Sequence, residues 1–173
     1  LLPALASFAV AYRDPAAGAA LFPGIEDRLQ DIRDKREWWK ELNDSNAAGA
    51  SMIMTNNIRV TFLAFAGGIL LGLFTLYRLA QNGLMLGVVA GAAQSLGFAA
   101  NLWGFVAAHG TLELSAIFIA GGAGMQLGWA LVRPGLLTRR TALVLAARRA
   151  ALLLLGCVPI LVIAGTIEGF LSP

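Results

Sequence analysis

Four stretches of this chain carry no charged side chain, and they restrict its fold more than any motif does. Val60 to Tyr77 is 18 residues long, Leu79 to Ala108 is 30, Leu114 to Val132 is 19, and Ala150 to Ile167 is 18. A bilayer core of about 30 Å is crossed by about 20 apolar residues in helical form. Every backbone N–H and C=O must be satisfied within the membrane, so such runs fold as helices. The runs are too long, too many and too internal to be a signal peptide. The expectation is an all-α integral membrane protein. It has four complete transmembrane helices plus the end of a truncated first one, and an extracytoplasmic amphipathic helix.

Composition agrees with this class. Apolar residues make up 58% of the chain and charged residues 13%, with a mean hydropathy of +0.72. A soluble domain carries about twice that charge. The single cysteine, Cys157, lies in the last apolar run and excludes an internal disulfide. A lone cysteine in such a run reads as a small hydrophobe. The net charge of +3 is modest and gives no support for nucleic-acid binding.

In chain order, Leu1 to Tyr12 is apolar but short. It reads as the end of a first transmembrane helix, with an interfacial stub as the alternative. Arg13-Asp14-Pro15 ends it, since proline turns the preceding residue away from helix. Residues 13–51 form an extracytoplasmic loop and amphipathic helix, and 52–173 form the transmembrane bundle. Ile25 to Asn43 has apolar residues at helical spacing (Ile25, Leu29, Ile32, Trp39, Leu42). Asp31/Lys35 and Arg33/Glu37 are opposite-charge pairs four apart. This predicts one amphipathic helix on the membrane surface with Trp38 and Trp39 at headgroup depth. Leu29, Ile32, Trp38 and Trp39 are its partner-docking candidates, against the alternative of a solvated connecting helix. Asn43 to Ser51 reads as a linker, and Thr55-Asn56-Asn57 as the start of a span running to Tyr77. Arg78 to Gly83 reads as a turn, because Asn-Gly is a strong turn signal. Spans at about 84–107 and 111–132 follow. Pro134-Gly135 separates them from the last span, Ala150 to Glu168, where Pro159 predicts a kink.

If the spans alternate, Arg78, Arg133, Arg139, Arg140, Arg148 and Arg149 share one side, and all ten acids fall on the other. The positive-inside rule then makes the arginine-rich loops cytoplasmic. Small residues recur every fourth position in three rows. These are Ala64/Gly68/Gly72, Gly83/Gly87/Gly91/Ser95 and Ala116/Ala120/Gly124/Gly128. Such rows let helix backbones approach closely in lipid. Three rows imply a tight bundle, or a bundle with a dimer face, and a homodimer is expected.

The same alternation brings Asn56, Asn57, Asn101, His109, Glu113 and Glu168 to one membrane face as a polar cluster. His109 and Glu113 are four residues apart, so they share a helix face. Ionisable groups near hydrocarbon are costly and point to function. Three readings stand. His109, Glu113 and Glu168 are candidate metal ligands, because imidazole and carboxylate suit zinc and similar ions. The carboxylates are also candidates for a proton or ion pathway. The third reading is a hydrogen-bonded cluster that fixes helix register. No catalytic residue is assigned and no cofactor is predicted, a metal ion being the one open option. His-x3-Glu is not the His-Glu-x-x-His pair of a zinc protease.

Several motifs occur in order: Asn56-Asn57, Gln81-Asn82-Gly83-Leu84-Met85-Leu86-Gly87, His109-Gly110-Thr111-Leu112-Glu113-Leu114, Gly121-Gly122-Ala123-Gly124, Arg133-Pro134-Gly135 and Ala164-Gly165-Thr166-Ile167-Glu168-Gly169-Phe170. Together they resemble the stage II sporulation protein M family, over roughly residues 50 to 171. The resemblance implies a multi-pass protein of the bacterial cytoplasmic (inner) membrane. It also implies a scaffold that anchors or positions extracytoplasmic cell-wall enzymes, since the namesake acts as membrane anchor for two peptidoglycan-degrading partners. The alternative drawn from the residues is an intramembrane metal-dependent hydrolase or an ion-coupled transporter built on His109, Glu113 and Glu168.

Overall fold

The computed structural model describes residues 1–43 and 46–171, with side chains described except at 41–43, 46–53, 108 and 169–171. The described residues are helical and include no strand. Among them, eight α-helices follow in order: α1 Leu2–Arg13, α2 Pro15–Leu21, α3 Glu26–Arg33, α4 Trp38–Asn43, α5 Asn46–Ala66, α6 Leu73–Ser95, α7 Ala99–Val132 and α8 Arg139–Leu171. A short 3-10 turn, Gly67–Ile69, lies between α5 and α6.

Side-chain contacts give the helix directions. Along α7 and α8, His109 meets Glu168, Ala116 meets Cys157, and Ala123 clusters with Ala150, so the two are antiparallel. Asn57 meets Glu113, and Gly124 lies against the Ala64 and Phe65 carbonyls, so α5 runs parallel to α7. Thr75 meets Gly124 and Leu79 meets Gly121, so α6 runs back against α7. The expected alternation of direction is therefore present, although its boundaries shift.

The predicted span from Thr55 to Tyr77 is broken. Leu71 (φ 55°) and Gly72 (φ 81°) adopt left-handed backbone, and the chain reverses there. Glycine tolerates that conformation without steric cost, whereas leucine does not. Packing compensates: Thr75 Oγ1 donates to the Ala64 carbonyl at 2.7 Å across the hairpin. The small-residue rows make the reversal fit. A side chain at Gly68 would run into the Gly124 carbonyl, and one at Gly128 would meet the Gly72 nitrogen at 2.6 Å. The first and third rows thus pack on each other. The second, Gly83/Gly87/Gly91, packs on α1, where Ala4, Ser7 and Phe8 fill the space a larger side chain would need. All three rows are used inside the chain, which removes the small-residue argument for a dimer face.

Other boundaries also move. Arg78 to Gly83 is the interior of α6 rather than a turn, because helical neighbours on both sides override the Asn-Gly signal. The next break is at 96–98, where Gly97 has φ 70°, and α7 then runs unbroken through His109. The expected spans at 84–107 and 111–132 therefore divide differently between α6 and α7. The expected loop before Pro23 contains α2, whose first turn is capped by Asp14 accepting from Ala16 N–H at 2.8 Å. Helix α5 begins at Asn46, so Asn56 and Asn57 lie in its interior rather than at its start. Residues 44 and 45 of the expected linker lie outside the described residues. Helix α8 continues through Pro159.

The predicted single amphipathic helix is two helices joined by a bend. α3 ends at Arg33, and Lys35 (φ 53°) turns the chain. The bend moves the expected four-apart charge partners out of register. Buried Asp31 instead pairs with Arg28 at 3.2 Å and with Arg36, and Glu37 pairs with Lys40. Ile25, Leu29, Ile32 and Trp39 turn inward on Val88, Phe98, Leu102 and Phe105, forming a head core at one end of the bundle. A separate core of Ala116, Ala120, Leu154, Cys157 and Leu161 lies between α7 and α8. The head draws on α1, α3, α4, α6 and α7, so it is not a contiguous unit of sequence.

Candidate functional site: a polar cluster beneath an aromatic stack

Three helices contribute to the site. Asn57 on α5 donates from Nδ2 to Glu113 Oε1 on α7. One turn earlier on α7, His109 Nε2 is 3.6 Å from Glu168 Oε1 on α8. His109 is 4% exposed and Glu168 2%, so both polar groups are enclosed. Asn57 and Glu113 are half-buried. Glu113 lies within electrostatic reach of Glu168. Among the described residues, Oε2 of Glu168 accepts no hydrogen bond. A buried acceptor without a donor is costly.

The tight bundle explains why these groups meet. Gly165, one turn before Glu168, lets α8 approach α5 at Met54, whose Cβ would be 2.9 Å from any side chain there. The i,i+4 spacing of His109 and Glu113 then places the imidazole toward α8 and the carboxylate toward α5.

Above the cluster runs a stack of rings. The Phe105 ring meets His109 edge-on at 5.0 Å, and Trp39 stacks on Phe105 at 4.8 Å with planes 6° apart. Trp39 also packs on Phe98 and Trp38, and Arg28 lies 5.2 Å over the Trp38 ring. Such ring pairs contribute about 0.5–1.5 kcal/mol each beyond their burial. The head is therefore seated directly on His109.

Of the predicted cluster, the fold brings together Asn57, His109, Glu113 and Glu168. Asn56 faces outward. Asn101 belongs to the head, where its Nδ2 donates to Glu37 Oε1 at 2.7 Å. Hydrogen bonds from Lys40, and then from Asn101, hold the Glu37 carboxyl below the usual carboxylate range. Among the described residues, no three His, Cys, Asp or Glu side chains are grouped to hold a metal ion. The expected docking residues Leu29, Ile32 and Trp39 are buried in the head core and Trp38 is half-buried, so their apolar faces are already occupied. Phe105 is a structural partner that sequence reasoning misses, and the three-and-four spacing of Phe98, Leu102, Phe105 and His109 is the signal for it. Asp31 pairs with Arg28 and Arg36 in place of the expected Lys35.

Two segments, His109–Val132 and Arg139–Glu168, are long and apolar enough to cross a membrane. In the most apolar window of the second, only 33% is buried, and Leu152, Leu155 and Ile163 face outward. A core helix of a soluble protein would be mostly covered, so this surface suits lipid. Together with the sequence comparison, these features define the class as a helical membrane protein. The chain belongs to the stage II sporulation protein M family, whose profile matches residues 3–173. A relative from Methanocaldococcus jannaschii, an uncharacterized protein, is 37% identical over 76 residues. That region takes in 43% of this chain and 43% of the relative, so the chain matches less than half of that protein's length. No solved structure matches.

Proposed function

We propose that this chain is a non-enzymatic, multi-pass scaffold that holds a rigid head at the membrane surface for cell-envelope partners. The observation that carries this reading is the ring stack from Trp39 through Phe105 to His109, which joins the head to the bundle. Arg149 and Glu168 are nineteen residues apart on α8, or about 28 Å at 1.5 Å per residue, close to a hydrocarbon thickness. With the membrane between these levels, α5, α6, α7 and α8 all reach across it. The arginine end is cytoplasmic and the head extracytoplasmic. The family resemblance supplies the partner class, peptidoglycan-remodelling enzymes. The head offers them the outward polar face of α3, with Glu26, Asp27 and Gln30 exposed and Asp34 exposed at its C-terminal cap.

A photocrosslinker at Asp27 or Gln30, activated in native membranes, tests this. Covalent capture of a cell-wall enzyme, absent when the probe is at Phe118 on the lipid-facing side, is the expected result. Capture of no such enzyme from any exposed α3 position would sink the scaffold reading.

A second reading is favoured by the open Oε2 of Glu168. It is an ion-coupled pathway using Glu168, Glu113 and His109. Ion flux in vesicles that is abolished by Glu168→Gln would support it, and flux no greater than in empty vesicles would remove it.

A further inference from the structure

At the opposite end from the head, the lower halves of α7 and α8 and the hairpin tip enclose a groove of about 810 Å³. Leu71, Trp129, Leu137 and Leu145 give it an apolar wall, and Arg133 and Arg149 give it two guanidinium groups. Its volume falls within the range of about 300–1,000 Å³ usual for small-ligand sites. Among the described residues, neither arginine has an acidic or hydrogen-bonding partner, whereas Arg28 and Arg36 of the head both engage Asp31. Glu113 and Glu168 lie in the polar cluster, so among the described residues none supplies a counter-charge here. Trp129 is 61% exposed and Leu71 53%, so an occupant would cover substantial apolar surface.

We infer that this groove binds one anionic phospholipid, with its phosphate held by Arg133 and Arg149 and an acyl chain laid along Leu71, Trp129 and Leu145. Guanidinium groups match phosphate oxygens in planar, paired geometry. Basic pockets between membrane helices on the cytoplasmic side suit anionic headgroups. Arg149 stands where the charge-free run of α8 begins, so its guanidinium and the apolar wall meet at the depth where headgroup gives way to chain. The inference rests on the membrane placement of the last two helices and is independent of the scaffold role.

Trp129 supplies the readout. The purified chain is reconstituted in phosphatidylcholine vesicles containing either brominated phosphatidylglycerol or brominated phosphatidylcholine. The Trp129 signal is the fluorescence lost in Trp129→Phe. The anionic lipid is expected to quench it at about tenfold lower mole fraction than the zwitterionic one. Arg133→Gln with Arg149→Gln should equalise the two lipids. Arg139→Gln with Arg140→Gln, which removes the same charge nearby but outside this groove, should leave the preference intact. Equal quenching by both lipids in the unsubstituted chain overturns the inference, as does equal loss of preference in the two double variants. Abolition of the preference by millimolar inorganic phosphate would overturn the lipid as occupant.

Discussion

Asn57 shows how much one side chain contributes when it donates to a carboxylate between helices. Replacing it with alanine leaves Glu113 Oε1 without this partner. Interhelical hydrogen bonds in membranes contribute about 0.6–2 kcal/mol, so Asn57→Ala should lower bundle stability by about that much in detergent unfolding. Glu113→Gln keeps an oxygen to accept from Asn57 and should cost less. If the two rank the other way, the bond is not what joins α5 to α7. Glu37 makes a pH-dependent counterpart in the head. Its carboxyl is held below the ordinary range by Lys40 and Asn101, so the folded head favours the ionised form. That contribution is present above the ordinary carboxylate value of about 4.3 and is lost as pH falls through the lower folded value. Hydrogen exchange in α4 should therefore rise below about pH 4 in the unsubstituted chain. In Glu37→Gln that acid-dependent step should be missing.

The α5–α6 hairpin is sensitive to a single methyl group. Gly68 lies against the Gly124 carbonyl, and a Cβ there meets backbone that has no rotamer to yield. Overpacking of this kind costs about 1–3 kcal/mol or more. Gly156 on α8 has nothing within 4 Å of the position a methyl would take, and Gly156→Ala should be neutral or stabilising by up to about 1 kcal/mol. Thermal unfolding of Gly68→Ala and Gly156→Ala side by side checks this; equal effects would mean that the hairpin does not pack tightly on α7. The two-helix form of the α3–α4 region follows the same logic. Asp31 gathers Arg28 and Arg36 around a left-handed Lys35, and these contacts outweigh the continuous helical pattern of Ile25 to Asn43.

For the whole molecule, the proposed placement puts the head and the arginine groove on opposite sides of the membrane. Cys157 is buried and should react little, so added cysteines can report the topology. A membrane-impermeant maleimide applied to intact cells should label Asp27→Cys and leave Arg140→Cys unlabelled until the membrane is opened. Labelling of both, or of Arg140→Cys alone, would reverse or remove the proposed orientation.

The helical class and the alternating helix directions were legible in the order of residues, because apolar run length and arginine position act locally. The small-residue rows were legible only as a demand for close approach. Which row met which was decided by packing: Gly68 on Gly124, Gly87 on α1. Half of the candidate site could be read the same way, since His109 and Glu113 share a helix face by spacing alone. Tertiary structure decided that Asn57 joins them and Asn56 does not, and that Asn101 serves the head. It also decided that Trp39 is covered by the head core rather than exposed on an amphipathic surface helix. Helical periodicity states which residues share a face, but the neighbour that covers the face is set by contacts across tens of residues, as between Asn57 and Glu113. The reversal at Leu71 and Gly72 is the clearest case. Nothing in an unbroken apolar run marks the point where it turns, and only the fit of glycine against glycine in the folded bundle selects it.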